Sequence, residues 1–225
     1  MDPDANSPTR PFQFGAVLVG ALVFALLAIE VWHAHTPMQW ERPILTAIER
    51  FPLPGRDFWS ALFEPIPFAF ITVALACAAA ARGRTSLAIA GLTGCLTAVV
   101  TAELVFKPLI GRYRVHIVGI HPHIAHFGGP MFPSAHVTAA AAWATFAWMI
   151  IDRRSRLRPF LVALPLVVGW AVTSKHMHLP ADVVGGLILG PTAVYCTVTL
   201  LRAASRWEAQ SKSEPAANDR VDVSV

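Results

Sequence analysis

Charge is scarce in this sequence. Asp, Glu, Lys and Arg together make up 14% of its 225 residues, against 55% that are hydrophobic, and the mean hydropathy is +0.52. So little charge across long apolar runs excludes an ordinary soluble domain and places the chain in the membrane class. Paired cysteine is missing too. Cys77, Cys95 and Cys196 are odd in number and all fall inside apolar runs, which excludes a disulfide framework and leaves them as small buried hydrophobes. There is no internal repeat, and no polar stretch is long enough for a separate soluble domain. The net charge of +4 does not argue for nucleic acid, because most arginines sit in short loops beside apolar runs, as membrane topology demands.

Those runs are what the sequence has in plenty. A span takes about twenty mostly apolar residues, and six segments qualify: roughly 12–32, 59–81, 85–106, 134–151, 159–174 and 183–201. The expected fold is all-α, a polytopic membrane protein with six transmembrane helices in a bundle. It divides into a disordered N-terminal tail over 1–11, a membrane domain over 12–202 and a flexible cytoplasmic tail over 203–225. The first span is too long for a signal peptide and lacks a small-residue cleavage site, so it stays as an anchor. Between the first two spans, Ile44, Leu45, Ile48 and Phe51 recur at helical spacing. A short interfacial helix and an ordinary loop are equally compatible with that pattern. The second span opens irregularly, with Glu64, Pro65 and Pro67.

Six spans put both termini on one side. That side carries Arg82, Arg84, the turn Asp152 to Arg158 and the basic tail, so it is cytoplasmic by the positive-inside tendency. A bacterial-type inner membrane is the expected location. Two polar segments far apart in sequence then emerge together on the outer face: the stretch Lys107 to His136 and the turn Lys175 to Asp182.

Lys107 to His136 is the longest polar interruption in the chain. It carries Lys107, Arg112, Arg114, five histidines and a Pro-Ser-Ala-His ending against an apolar run. Structureless connections of this length are usually functional or disordered. Its cations oppose the orientation rule and suit an anionic group, arginine by planar bidentate contact; headgroup snorkelling is the plainer alternative. Glu103 lies four residues before Lys107, a helical ion-pair spacing. Ser134 is a preferred N-cap type, and the free amides of a first helical turn bind anions. His178 and Asp182 are also four apart, a spacing at which a carboxylate can fix an imidazole tautomer. Cations, a helix N-terminus and two histidines, one with a carboxylate, are the parts that phosphoryl transfer through a phosphohistidine requires. His116, His121, His123 and His126 raise metal binding as an alternative, but no Cys or carboxylate nearby completes a ligand set.

At these residues the sequence resembles the type 2 phosphatidic acid phosphatase superfamily of integral-membrane lipid phosphatases. The family's first motif is Lys, six residues, then Arg-Pro; Lys107 and Arg114 match, and Val115 replaces the proline. Its second is Pro-Ser-Gly-His; Pro133, Ser134 and His136 match, with Ala135 for glycine. Its third is Ser-Arg, five residues, His, three residues, Asp; His178 and Asp182 match, but Ala171 and Val172 stand at the Ser-Arg positions. The resemblance covers the six-span plan and residues 107–190.

It implies His178 as nucleophile, Asp182 as its partner and His136 as general acid, with no metal or other cofactor. Lys107, Arg114, Ser134 and the Ala135 amide would hold the phosphate. Lys175 is the one cation in the same turn able to stand in for the missing arginine, though without a bidentate fork. The expected partner is a lipid phosphate: a phospholipid such as phosphatidic acid or phosphatidylglycerophosphate, a prenyl pyrophosphate or a lipid A phosphate. Transfer to a second lipid on the same scaffold, and a catalytically degenerate lipid-binding member, are the alternatives. A transporter fits less well, because Glu64 and Glu103 lie near the ends of their spans rather than deep within them.

Overall fold

The structure, a computed structural model, describes residues 10–34, 36–112 and 129–213. Among the described residues it is all-helical, with no strand. In chain order the helices are α1 (Arg10–Ala34), α2 (Glu41–Arg50), α3 (Arg56–Ala61), α4 (Pro65–Ala80), α5 (Thr85–Thr101), α6 (Lys107–Ile110), α7 (Ala135–Ile150), α8 (Arg158–Ser174) and α9 (Pro180–Ser213). A π-helical turn, Ala102–Phe106, joins α5 to α6 without a break.

Three helical stretches are long and apolar enough to cross a membrane: Gly15–Ala34, Thr85–Ile110 and Pro180–Ser205. Three further apolar helices, Pro65–Ala81, Ala135–Ile150 and Arg158–Ser174, are shorter. The second expected segment is divided, because Pro65 occupies the first turn of α4 behind an extended Glu64. Proline favours a helix start, where its missing N–H is not needed. The residues upstream of that break form α3. The segment between the first two spans contains a helix, α2, at the spacing the apolar residues show. At the C-terminus α9 continues to Ser213, so the first part of the expected tail is helical, and at the other end α1 begins at Arg10.

α9 is the centre of the molecule, packing on α7, α5 and α1. Its approach to α7 depends on Gly186 and Gly190. A Cβ on Gly190 would lie 2.6 Å from the Thr138 carbonyl oxygen and 2.8 Å from the Ala142 nitrogen. Small residues at this spacing let two helix backbones meet, and the facing stretch of α7, Ala139 to Ala142, is buried alanine. α7 and α9 thus meet along one close seam. At one end of it α1 contributes Phe24, whose ring stacks on Phe132 at 5.7 Å and meets Phe106 edge-on at 4.6 Å. Phe132 is fully buried, which fixes the segment leading into α7.

Large apolar side chains such as Leu22 and Leu26 on α1, Phe70 on α4 and Phe160 on α8 are exposed. On a soluble protein such a belt would be a liability; around a bundle of apolar helices it is the surface that lipid covers.

Candidate active site

The two polar segments expected to share a face do meet, at the N-terminal ends of α7 and α9. Ser134 occupies the N-cap position of α7, and its backbone N–H donates to the Asp182 carbonyl at 2.9 Å. The Ser134 hydroxyl makes no capping bond; it is buried with no hydrogen-bond partner among the described residues. His136, in the first turn of α7, faces His178 with ring centroids 6.3 Å apart and planes at 64°.

His178 precedes α9 in a turn where the backbone of His176 takes a positive φ of 54°. Its Nδ1 lies 3.7 Å from Asp182 Oδ2. That is beyond hydrogen-bond length, although catalytic bonds are often long before substrate arrives. Asp182 is fully buried and both of its oxygens are hydrogen-bonded. Oδ2 accepts the Leu179 N–H at 2.8 Å, a carboxylate in the first turn reaching back to the residue that caps the helix. Oδ1 accepts from Arg112 at 3.0 Å.

Arg112 is the site's unexpected member. Its side chain is wholly buried, and so is that of Glu41 at the start of α2. The guanidinium forks onto Glu41, with 2.7 Å to Oε2 and 3.3 Å to Oε1. It also donates to the Thr36 carbonyl at 3.1 Å. Glu41 in turn accepts the Met38 N–H at 2.7 Å and the Ala181 N–H at 2.9 Å. Burial disfavours the Arg112 charge, but the Asp182 and Glu41 carboxylates overrule it and hold the guanidinium above its ordinary pKa. Arg112 is therefore no surface cation waiting for an anion. It is the bridge between two acids from helices α2 and α9.

The remaining expected ligands stand further out. Lys107 Nζ is 2.6 Å from Glu103 Oε1, the pairing their spacing foretells, across the π-helical turn. Lys175 Nζ bonds to the Ser60 hydroxyl at 2.9 Å and lies 3.1 Å from Asp57 Oδ1, so it ties its turn to α3. Arg56, also on α3, donates to the Ser174 carbonyl at 2.7 Å. Val172 is fully buried in the apolar core, as a valine there should be. Arg114 and the histidines at 116, 121, 123 and 126 lie outside the described residues.

Sequence reasoning missed Glu41. It opens an amphipathic segment, where an acid reads as an ordinary favourable charge at a helix N-terminus. Its one distinguishing feature is position: it precedes the apolar face whose Leu45 packs on Met131 and Leu179, residues beside the site.

Four groups therefore come together from two distant segments: the Ser134 hydroxyl, the His136 ring, the His178 ring and the Asp182 carboxylate. Behind them lie the buried Arg112 and Glu41. A family model, the PAP2 superfamily, matches residues 85–206, the span that contains all of these except Glu41. No curated protein and no solved structure matches the chain.

Proposed function

The chain belongs to the PAP2 superfamily, whose function is of the phosphatase type, and from that premise we propose that it is a membrane lipid phosphatase working through a phosphohistidine. The observation that carries the reading is the facing pair of imidazoles, one backed by a buried carboxylate, at two helix N-termini. The substrate class is a lipid bearing a terminal phosphate: a phospholipid, a prenyl pyrophosphate or a lipid A phosphate.

In the proposed reaction His178 Nε2 attacks phosphorus in line while Nδ1 faces Asp182. The N–P bond forms and the P–O bond to the lipid breaks, and His136 gives its proton to the departing oxygen. Water then loses a proton to His136 and attacks the same phosphorus. The N–P bond breaks and inorganic phosphate leaves, with both histidines restored. The Ser134 hydroxyl, buried without a partner among the described residues, and the Ala135 amide would receive phosphate oxygens; a buried hydroxyl left unsatisfied costs about 1–3 kcal/mol, which a phosphate oxygen would offset. Lys107 and Arg114 would add positive charge, and Lys175 would do so by exchanging Asp57 for the phosphate. No metal takes part in this scheme.

We read the six apolar helices as six spans, with the three shorter ones completed by the segments at their ends. Both termini then lie in the cytoplasm of a bacterial-type inner membrane, with the site on the outer face.

Phosphate release from a panel of phospholipids and prenyl pyrophosphates, measured in detergent with EDTA present, tests the reading. Turnover is expected in the wild-type protein and not in His178→Ala or His136→Ala. Unchanged turnover in His178→Ala would overturn the mechanism, and label passing from donor into a second lipid would make the protein a transferase. Loss of turnover on chelation would bring the histidine-rich stretch back as a metal site.

A further inference from the structure

Glu41 and Arg112 touch no substrate in the reaction above, yet both are fully buried beside it. Taking charge out of water is costly unless it is paired, and a purely structural pair would be complete with one acid and one base. Here there are two acids, Glu41 and Asp182, on a single guanidinium, so the cluster's formal charge is −1.

We propose that Glu41 and Arg112 are positioning residues that hold Asp182 as a net anion toward His178, so that the imidazole charge formed on phosphoryl transfer meets an uncompensated negative charge. The proposal rests on the phosphohistidine reading and deepens it. When His178 Nε2 gains phosphorus, Nδ1 keeps its proton and the ring becomes cationic. Asp182 is the neighbour that stabilises it. Were Arg112 paired with Asp182 alone, that carboxylate would already be neutralised. Glu41 takes up the guanidinium through its fork, the 2.7 Å bond included, and returns the Asp182 charge to His178. Arg112 in exchange fixes Oδ1, leaving Oδ2 turned to Leu179 and His178.

The other charged groups around His178 do not supply this. Among the described residues, His136 faces it from α7. Lys175, in the same turn, is held by Asp57 of α3. His176 lies 3.9 Å from Glu49 of α2, Arg56 is spent on the Ser174 carbonyl, and Lys107 is held by Glu103. Each of the two lysines has its own carboxylate. The buried trio alone carries an excess.

Charge neutralisation in three variants provides the test. Glu41→Gln makes the cluster neutral, Arg112→Gln makes it doubly negative, and the double variant returns it to −1 through Asp182 alone. The full chain in detergent micelles, with 13C-labelled histidine, gives the His178 ring titration directly, assigned by its loss in His178→Ala. Glu41→Gln is expected to move that titration down by about half a unit to one unit, as for a charge one residue removed from direct contact. Arg112→Gln should move it up, and the double variant should bring it back toward wild type.

The acidic limb of kcat against pH, with phosphatidic acid as substrate, should follow the same three directions. In Glu41→Gln, kcat should fall about tenfold with KM within about twofold, since an interaction made only in the transition state is lost. Shifts in one direction for both single variants, no shift, or a double variant as displaced as either single one would overturn the proposal. If Glu41→Gln does not fold, the upward shift in Arg112→Gln decides alone. A wild-type protein that releases no phosphate would sink the phosphatase reading, while the ring titration would still decide whether the cluster sets the charge at His178.

Discussion

At the scale of single residues, Asp182 carries the most. Its carboxylate caps α9 through Leu179, anchors Arg112 and faces His178. Glu41 keeps the guanidinium paired when Asp182 is lost, but the Leu179 N–H loses its cap and Arg112 loses one charged acceptor, together about 1–3 kcal/mol. Asp182→Ala is therefore expected to lower the thermal midpoint in detergent as well as abolish turnover, whereas His178→Ala should abolish turnover with little change in midpoint. Equal midpoints for the two variants would mean that the Leu179 cap and the Arg112 bond contribute no net stability. Lys175 poses the opposite question, because its ion pair reaches Asp57, whose side chain is 84% exposed. Such a pair contributes about 0–1 kcal/mol. Lys175→Met should thus leave the midpoint nearly unchanged while raising KM for a lipid phosphate about fivefold, the loss of one charged phosphate contact. A KM that does not move would leave Lys175 as a tie between its turn and α3.

The same contacts look different at the scale of elements, where the site is a consequence of how closely α7 and α9 pack. Gly190 sits against the Thr138 carbonyl and the Ala142 nitrogen, backbone atoms that cannot rotate aside. Gly190→Ala is expected to destabilise the protein by about 1–3 kcal/mol through overpacking, and to reduce kcat by drawing His136 away from His178. Gly15→Ala, where a Cβ meets nothing within 4 Å, is the matched control and should change the midpoint by less than about 0.5 kcal/mol. Much of this level was legible beforehand. Apolar runs and prolines located the helices, and the spacing of Glu103 with Lys107 and of His178 with Asp182 foretold two contacts within a turn. Such contacts are local, so periodicity reveals them. Glu41, Arg112 and Asp182 meet across gaps of 71 and 70 residues, and no spacing rule spans a gap of that size. Arg112 looked like a surface cation because its sequence neighbours are polar. Its real environment is set by α2 and α9, which only the folded chain brings to it. Gly186 and Gly190 were likewise silent, since a glycine in an apolar run declares its purpose only when the facing backbone is known.

For the whole molecule, the arginines gathered beyond the C-terminal end of α7 favour one direction across the membrane. The candidate site lies at its N-terminal end. At the other end Arg84 donates to the Ile150 carbonyl at 3.1 Å, and Arg158 places its guanidinium 4.1 Å from the Trp148 ring centre. The turn Asp152–Arg158 and the Arg82–Arg84 turn thus gather at one end, separated from the histidines by the sixteen residues of α7, about 24 Å at helical rise. Clustered arginines stay on the cytoplasmic side, so the site should open on the opposite face. Two added cysteines read this out in a chain whose Cys77, Cys95 and Cys196 are replaced by alanine. Gly129→Cys sits at the site end, where a Cβ meets nothing within 4 Å; Arg153→Cys sits in the exposed basic turn. In intact cells stripped of their outer envelope, a membrane-impermeant thiol reagent is expected to label the first and spare the second, and to label both once the membrane is opened. The reverse pattern would turn the molecule over and put the histidines in the cytoplasm. Labelling of both in intact cells would mean that α7, short as it is, does not separate two aqueous compartments, and the six-span reading would fall with it.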